Sequence, residues 1–414
     1  MNKEKLIPEL RFPEFENEEQ WDSTPLNDLC ELVTKGTTPT TLGFSYTESG
    51  VNFIKIESIL EGNINLEKAA FISIECNEAL KRSQLKEDDI LFSIAGALGV
   101  VTTVTKEILP ANTNQALSIV RLKNKKQKDY VKAFLKSNLI TSEVQKIKAG
   151  AAQPNISLNQ VANFSILIPK NTNEQQKIAT CLSSLDEVIA AHNQKLDLLK
   201  DHKKGMMQNL FPQEGEKVPK YRFKEFENDG EWVKTKLGDS AIFINGRAYK
   251  QEELLETGKY RVLRVGNFFT NNNWYYSDLE LEENKYCEDG DLLYAWSASF
   301  GPRVWRGEKV IYHYHIWKLL PSESISNDFL FVLLDNETER MKTQNANGFA
   351  LLHITKSTIE NWECKIPKSK IEQEKIASCL SSLDAFITSQ AEKIEQLKLH
   401  KKGLMQGLFP KINE

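Results

Sequence analysis

The chain has 414 residues, 40% of them hydrophobic and 27% charged, with a formal net charge of −4. That length accommodates two or three domains with separate cores, and the composition is that of an ordinary globular protein rather than a fibrous or disordered one. No apolar run approaches the roughly 18 residues of a membrane span, Met1–Leu10 is too charged for a signal peptide, and the six cysteines fall in no metal-binding spacing, so the expected compartment is the cytoplasm with no membrane partner.

The first distinctive segment is RFPEFENEEQW at 11–21, which recurs as RFKEFENDGEW at 222–232, an offset of 211. Each copy leads to a leucine, Leu26 or Leu237, and then to Asp28 or Asp239. Val51–Ile59 and Tyr260–Phe268 alternate apolar and polar residues, which predicts a half-buried strand in each. Charged turns then lead into apolar strands at 90–92 and 292–294, followed by small-residue loops at 93–99 and 295–301. The spacing predicts helices over 130–148 and 328–346, closed by Gly150 and Gly348, the usual residue beyond a helix C-terminus.

The average charge hides an asymmetry. Residues 1–89 carry 9 basic and 18 acidic side chains, whereas residues 90–170 carry 11 and 3, including the run Arg121, Lys123, Lys125, Lys126 and Lys128. Such a run is either a solvated face or an electrostatic footprint for DNA.

The most regular stretch closes each half. Residues 168–212 and 366–410 are identical at 27 of 45 positions at a constant offset of 198. Apolar residues recur at steps of four and three, from Ile178, Leu182, Leu185 and Ile189 to Leu210, and from Ile376, Leu380, Leu383 and Ile387 to Leu408. A heptad seam this long predicts a helix packed along another helix, and the obvious partner of each copy is the other. About 35 residues of helix span about 52 Å. The polar seam residues His192 and Gln390, and Lys203 and Lys401, either fix register or snorkel from the helix edge.

The chain is therefore one unit of roughly 200 residues written twice, of α+β class, each copy a mixed strand-rich globular domain followed by a long helix. The expected bounds are 1–167 and 222–365 for the globular domains, 168–212 and 366–414 for the helices, and 213–221 for the linker. The helices are nearly the same, whereas the globular parts have diverged.

Motifs of chemistry are missing. There is no GxxxxGK[ST] or GxGxxG phosphate loop, no Asn-Pro-Pro-aromatic methyltransferase motif, no HExxH and no GxSxG. Tyr312-His-Tyr-His315 would place two histidines on one strand face, a poor metal site, and a partly buried strand is the simpler account. Loop residues able to reach base edges or phosphates are the candidates for DNA contact. In the first repeat these are Lys35, Gly36, Thr37, Thr38, Asn112, Asn114, Gln115, Lys148 and Gln153. In the second they are Asn245, Arg247, Tyr249, Lys250, Ser297, Ser299, Arg303, His313 and Asn347.

The two-fold repeat, the RFPEFENEEQW and RFKEFENDGEW heads, the IPK-x3-EQ-x-KIA helix start and the KKG-x-MQ-x-LFP helix end together resemble the DNA specificity (S) subunit of a Type I restriction-modification system. The resemblance covers nearly the whole chain. It implies two target recognition domains related by pseudo-two-fold symmetry, each reading one half of a split double-stranded DNA sequence. It implies that the long helices pair as an antiparallel coiled-coil spacer. It also implies a non-catalytic chain that docks two methyltransferase (M) subunits and restriction (R) subunits, to which S-adenosylmethionine, ATP and Mg belong. Glu174, Gln175 and Lys177, with their repeats Glu372, Gln373 and Lys375, are the candidates for docking the methyltransferases, although a glutamate in a first helical turn has a simpler electrostatic reason to be there. Two other classes stay open: an enzyme with a fused catalytic part, and a coiled-coil scaffold without sequence-specific DNA binding.

Overall fold

A computed structural model of the chain describes residues 6–150, 153–269, 271–297, 299–344 and 354–411. It divides into two compact units, residues 1–193 with 392–414, and residues 194–391. The long helices, Thr172–Leu210 and Lys370–Leu408, have 39 residues each, and each begins in one unit and ends in the other. Each unit thus contains a globular part, the start of the helix that follows it, and the end of the other helix.

The first unit is built on a four-stranded antiparallel sheet in the order Cys30–Lys35, Leu117–Leu122, Ile90–Ser93, Val101–Thr103. Its central strands are covered on both faces, and the period-two alternation divides their side chains between two cores. Ile90, Phe92, Val120 and Leu122 face one core; Leu91, Leu117 and Ile119 face the other. A smaller sheet flanks it, with Val51–Ile54 antiparallel to Ala70–Ile72 and parallel to Ala111–Thr113.

The helix expected over 130–148 is two helices, Lys128–Leu135 and Asn138–Ala149. Ser137 separates them in an extended conformation, ψ 163°, which is the backbone setting of an N-cap residue. Gly150 follows the second helix, and Gly348 lies outside the described residues. The corresponding helix of the second unit, Asn327–Gln344, is continuous.

An aromatic cluster closes the core of the first unit. Trp21 meets Tyr130 at 6.1 Å and Phe409 at 6.4 Å, and Phe134 meets Phe409 at 5.2 Å. Ile178 and Leu182 from the start of one long helix join the same core as Leu404, Met405 and Leu408 from the end of the other. Asp186 then meets Lys401, so one helix ascends as the other descends, and within this unit the pairing is antiparallel.

The second unit repeats the plan. Its four-stranded antiparallel sheet runs Ala241–Asn245, Ile316–Pro321, Leu292–Ser297, Ser299–Val304. Phe211, Trp232 and Phe329 form the matching aromatic cluster, with centroids 5.9 to 6.3 Å apart. In both units the strand after the head segment pairs with the strand before the long helix: Asp22–Pro25 with Ser165–Ile168, and Val233–Lys236 with Glu363–Ile366.

Candidate nucleic-acid interface

The loop leaving the first sheet strand is pressed against the loop that enters its neighbour. In the first unit the Gly36 N–H donates to the Asn114 carbonyl at 3.2 Å, and a Cβ on Gly36 would stand 1.8 Å from the Thr113 carbonyl oxygen. Only glycine permits that approach. The Thr38 hydroxyl donates to Gln115 Oε1, and Asn114 Oδ1 accepts from the Ala116 N–H at 3.0 Å, which holds the turn. Lys35, Gly36, Thr37 and Thr38 are thereby brought together with Asn114 and Gln115 at one end of the sheet, with Lys35 and Gln115 exposed.

The second unit makes the same joint with different chemistry. The Gly246 N–H donates to the Ile316 carbonyl at 3.1 Å, and a Cβ there would meet the carbonyls of Tyr312 and His313 at 2.4 Å. The edge carries Asn245, Arg247, Tyr249, Lys250 and His313. The Arg247 guanidinium lies 5.2 Å over the Tyr249 ring, which stacks near His313 at 6.3 Å. Arg247 also donates to both oxygens of Glu253, at 2.8 and 3.1 Å, so much of its bonding capacity is engaged within the loop. His313 and His315 stand in the turn between Val310–Tyr312 and Ile316–Pro321, not on a strand. Burial, with His315 and Arg264 nearby, pulls the His313 imidazole down to about 4. Among the described residues no group of three His, Cys, Asp or Glu is placed to hold a metal ion.

Other candidates fall elsewhere. Asn112 is fully buried, donating to Asn77 Oδ1 at 2.9 Å and to the Leu80 carbonyl, so it supports the smaller sheet and reaches no base. Lys148 lies in the last turn of Asn138–Ala149, and Gln153 is exposed beyond it. Ser297 is buried at the end of its strand, Ser299 begins the next, and Arg303 is exposed with its guanidinium 4.9 Å from the Phe269 ring. Asn347 lies outside the described residues.

The basic run is partly answered from within, by two carboxylates against five cations. Arg121 donates to both oxygens of buried Asp89 at 2.7 Å, Lys125 and Lys128 pair with Asp88, and Lys123 bonds the Asp28 carbonyl. Residues 86–89 supply carboxylates that a linear charge count assigns to another segment.

The candidate docking residues also divide. Glu174 and Glu372 are buried at 1% and 0% exposure, and Gln175 and Gln373 at 5% and 0%, so none of the four presents its side chain on the surface. Glu174 holds Arg11 and the Trp21 indole, while Gln175 donates to the Pro169 carbonyl at 2.7 Å. Glu372 and Gln373 repeat both arrangements with Arg222, Trp232 and Pro367. The head and the helix start are therefore two halves of one joint, and their joint recurrence in both repeats was the signal for it. Lys177 and Lys375 remain half exposed, paired at 2.6 Å with Glu14 and Glu225.

Two copies of one scaffold, each ending in a glycine-pinned loop edge of its own composition, define a duplicated recognition protein. The model of the Type I restriction modification DNA specificity domain matches residues 18–201 and 229–399, and the chain belongs to that family. It is 25% identical over 407 residues to a putative type I restriction enzyme MjaX specificity subunit of Methanocaldococcus jannaschii, covering 94% of this chain and 93% of the relative. The MjaVIII specificity subunit of the same organism is 26% identical over 422 residues, with 97% and 93% covered. Among solved structures, the fold matches a chain of a type I R-M system reported for its complex assembly and conformational transition, with TM-score 0.60, 17% identity and coverage of 94% and 97%. It also matches the type I S subunit from M. genitalium, with TM-score 0.55, 16% identity and coverage of 99% and 100%.

Proposed function

We propose that this chain is the sequence-recognition subunit of a Type I restriction-modification complex, and that each unit reads one half of a split DNA target. The observation that carries this is the contrast between scaffold and edge. The head, the helix and the aromatic core recur in both repeats, the helix with 27 of 45 residues identical, while the Gly36 edge offers hydroxyls and amides and the Gly246 edge offers a guanidinium and aromatic rings. Hydroxyls and amides suit base edges in the major groove, and lysines such as Lys35 and Lys250 suit phosphates. A plain scaffold has no need of divergent, exposed polar edges at matched positions. The long helices, 39 residues and about 58 Å each, are shared between the two units and are the part of the repeat that diverges least. Methyltransferase subunits dock in part through Lys177 and Lys375, and the catalysis, with S-adenosylmethionine, ATP and Mg, resides in partner subunits.

The test is a map of N6-methyladenine across the genome with the gene present and deleted. One split motif, two short halves with a fixed gap, loses methylation on deletion. If the chain co-purifies with a methyltransferase and no motif changes, it is a scaffold and the recognition reading fails.

A further inference from the structure

Within the first unit, the helix Lys128–Leu135, the start of Thr172–Leu210 and the end of Lys370–Leu408 line a cavity of about 270 Å³. Its wall is apolar at Ala133, Ala179, Leu182 and Met405, and it holds three lysines, Lys132, Lys136 and Lys401. Lys401 pairs with Asp186 at 2.5 Å. Lys132 and Lys136 form no ion pair or hydrogen bond with any described residue, and the remaining carboxylates of the cavity, Asp129 and Glu187, are exposed to solvent. Burial holds both ammonium groups below the usual lysine range, Lys136 at about 8, where Lys132 and Lys401 add to the effect; Asp129 and Asp186 oppose it at Lys132, and Asp186 at Lys136, without restoring the usual value.

The second unit serves as an internal control. Tyr130 and Phe329 are equivalent, since each packs on the head tryptophan and on the phenylalanine that ends a long helix. By that alignment Lys136 corresponds to Asp335 and Lys132 to Phe331, while Lys401 and Asp186 correspond to Lys203 and Asp384. There Lys203 lies 2.8 Å from Asp384 and 3.3 Å from Asp335, and the two carboxylates raise its pKa despite burial. The second unit closes its cluster with a carboxylate. At the same position the first unit has a cation.

We propose that the cavity of the first unit binds a phosphate-class oxyanion, which stands where Asp335 supplies negative charge in the second. An ammonium has three donors and no acceptor, so two lysines whose donors meet no hydrogen-bonding partner, beside a third, call for a ligand rich in acceptors and negative charge. The apolar wall strengthens that attraction relative to water. Gly62 keeps space at the ammonium: a Cβ there would stand 3.2 Å from Lys136 Nζ. The phosphate is either free in solution or carried by DNA.

The experiment titrates the full chain with inorganic phosphate against chloride at matched ionic strength, following Tm and 31P line width. Wild type is stabilised saturably by phosphate. K136D, which installs the residue of the second unit, is as stable as wild type without phosphate and binds phosphate about tenfold or more weakly, as expected when an attractive charge becomes a repulsive one. Lys136→Met, which removes the charge without reversing it, carries a smaller loss in the same direction if K136D fails to fold. An unchanged salt dependence of DNA binding in K136D assigns the site to free phosphate, whereas a slope reduced by about one charge assigns it to the DNA backbone. Equal phosphate responses in wild type and K136D overturn the proposal. So does the absence of any phosphate response together with an unchanged DNA slope, which leaves the cavity to an acidic protein surface.

Discussion

Arg11 and Glu174 stand 163 positions apart in the chain and form a two-pronged ion pair, Nε to Oε1 at 2.7 Å and Nη2 to Oε2 at 2.8 Å. Arg222 and Glu372 repeat it in the second unit, both prongs at 2.8 Å. Each carboxylate also accepts from the head tryptophan, so the head, the long helix and the aromatic core meet at one buried group. A buried pair adds little over an apolar equivalent, but removing one partner strands the other. Glu174→Ala therefore lowers unfolding stability by about 3 kcal/mol in urea, and Glu372→Ala does the same in its own unit. A loss under about 1 kcal/mol, the size of an exposed pair, would show that the head is anchored elsewhere.

How much of this was legible follows from which contacts are local. The heptad of Ile178, Leu182, Leu185 and Ile189 is a local pattern, and it located both helices to within a few residues. The role of Glu174 was not legible, because a glutamate in a first helical turn is already explained by the helix dipole while its partner lies in a distant segment. Asn112 looked like a loop amide, yet it lies within a parallel strand pair that sequence alone does not register, and it is buried there. The ion pairs of the charge run at 121–128 were not legible for the same reason, since Asp88 and Asp89 return to it through the strand pairing of Ile90–Ser93. The loop edges were legible as patches, because glycine followed by polar residues at a strand end has few other uses.

The glycine joints make a paired prediction. Gly36→Ala would drive a Cβ into the Thr113 carbonyl and Gly246→Ala into those of Tyr312 and His313, so each destabilises its unit by about 1–3 kcal/mol, the usual cost of overpacking. Gly205→Ala, in a long helix with nothing within 4 Å of the added methyl, serves as the control and leaves stability unchanged or slightly higher. Thermal unfolding of the three variants decides it; equal behaviour of Gly36→Ala and Gly205→Ala would remove the joint.

His313 sets a pH dependence in the second unit. Its folded pKa, about 4, lies below the ordinary value of 6.5, so between those values the unfolded chain binds more protons than the folded one. The contribution of this group to stability is therefore present above pH 6.5 and falls away as the pH drops toward 4. His313→Gln flattens the acid side of the stability profile in that window. An NMR titration placing the His313 midpoint near 6.5 would contradict the burial argument.

The two edges also predict separable effects on specificity. Gln115 accepts from the Thr38 hydroxyl and is itself exposed, so its amide is aimed while one side stays open to a base. Gln115→Ala removes that amide without touching a buried contact, and its effect is confined to the half-site of the first unit. The loss of discrimination is about 1–3 kcal/mol, or roughly tenfold or more, at one position of that half. Arg247→Ala acts on the other half, and by a smaller factor, because Glu253 already occupies two of its donors. Methylation maps of cells carrying each variant separate the outcomes. If both substitutions relax the same half of the motif, the two edges do not read separate half-sites; if each relaxes its own, they do.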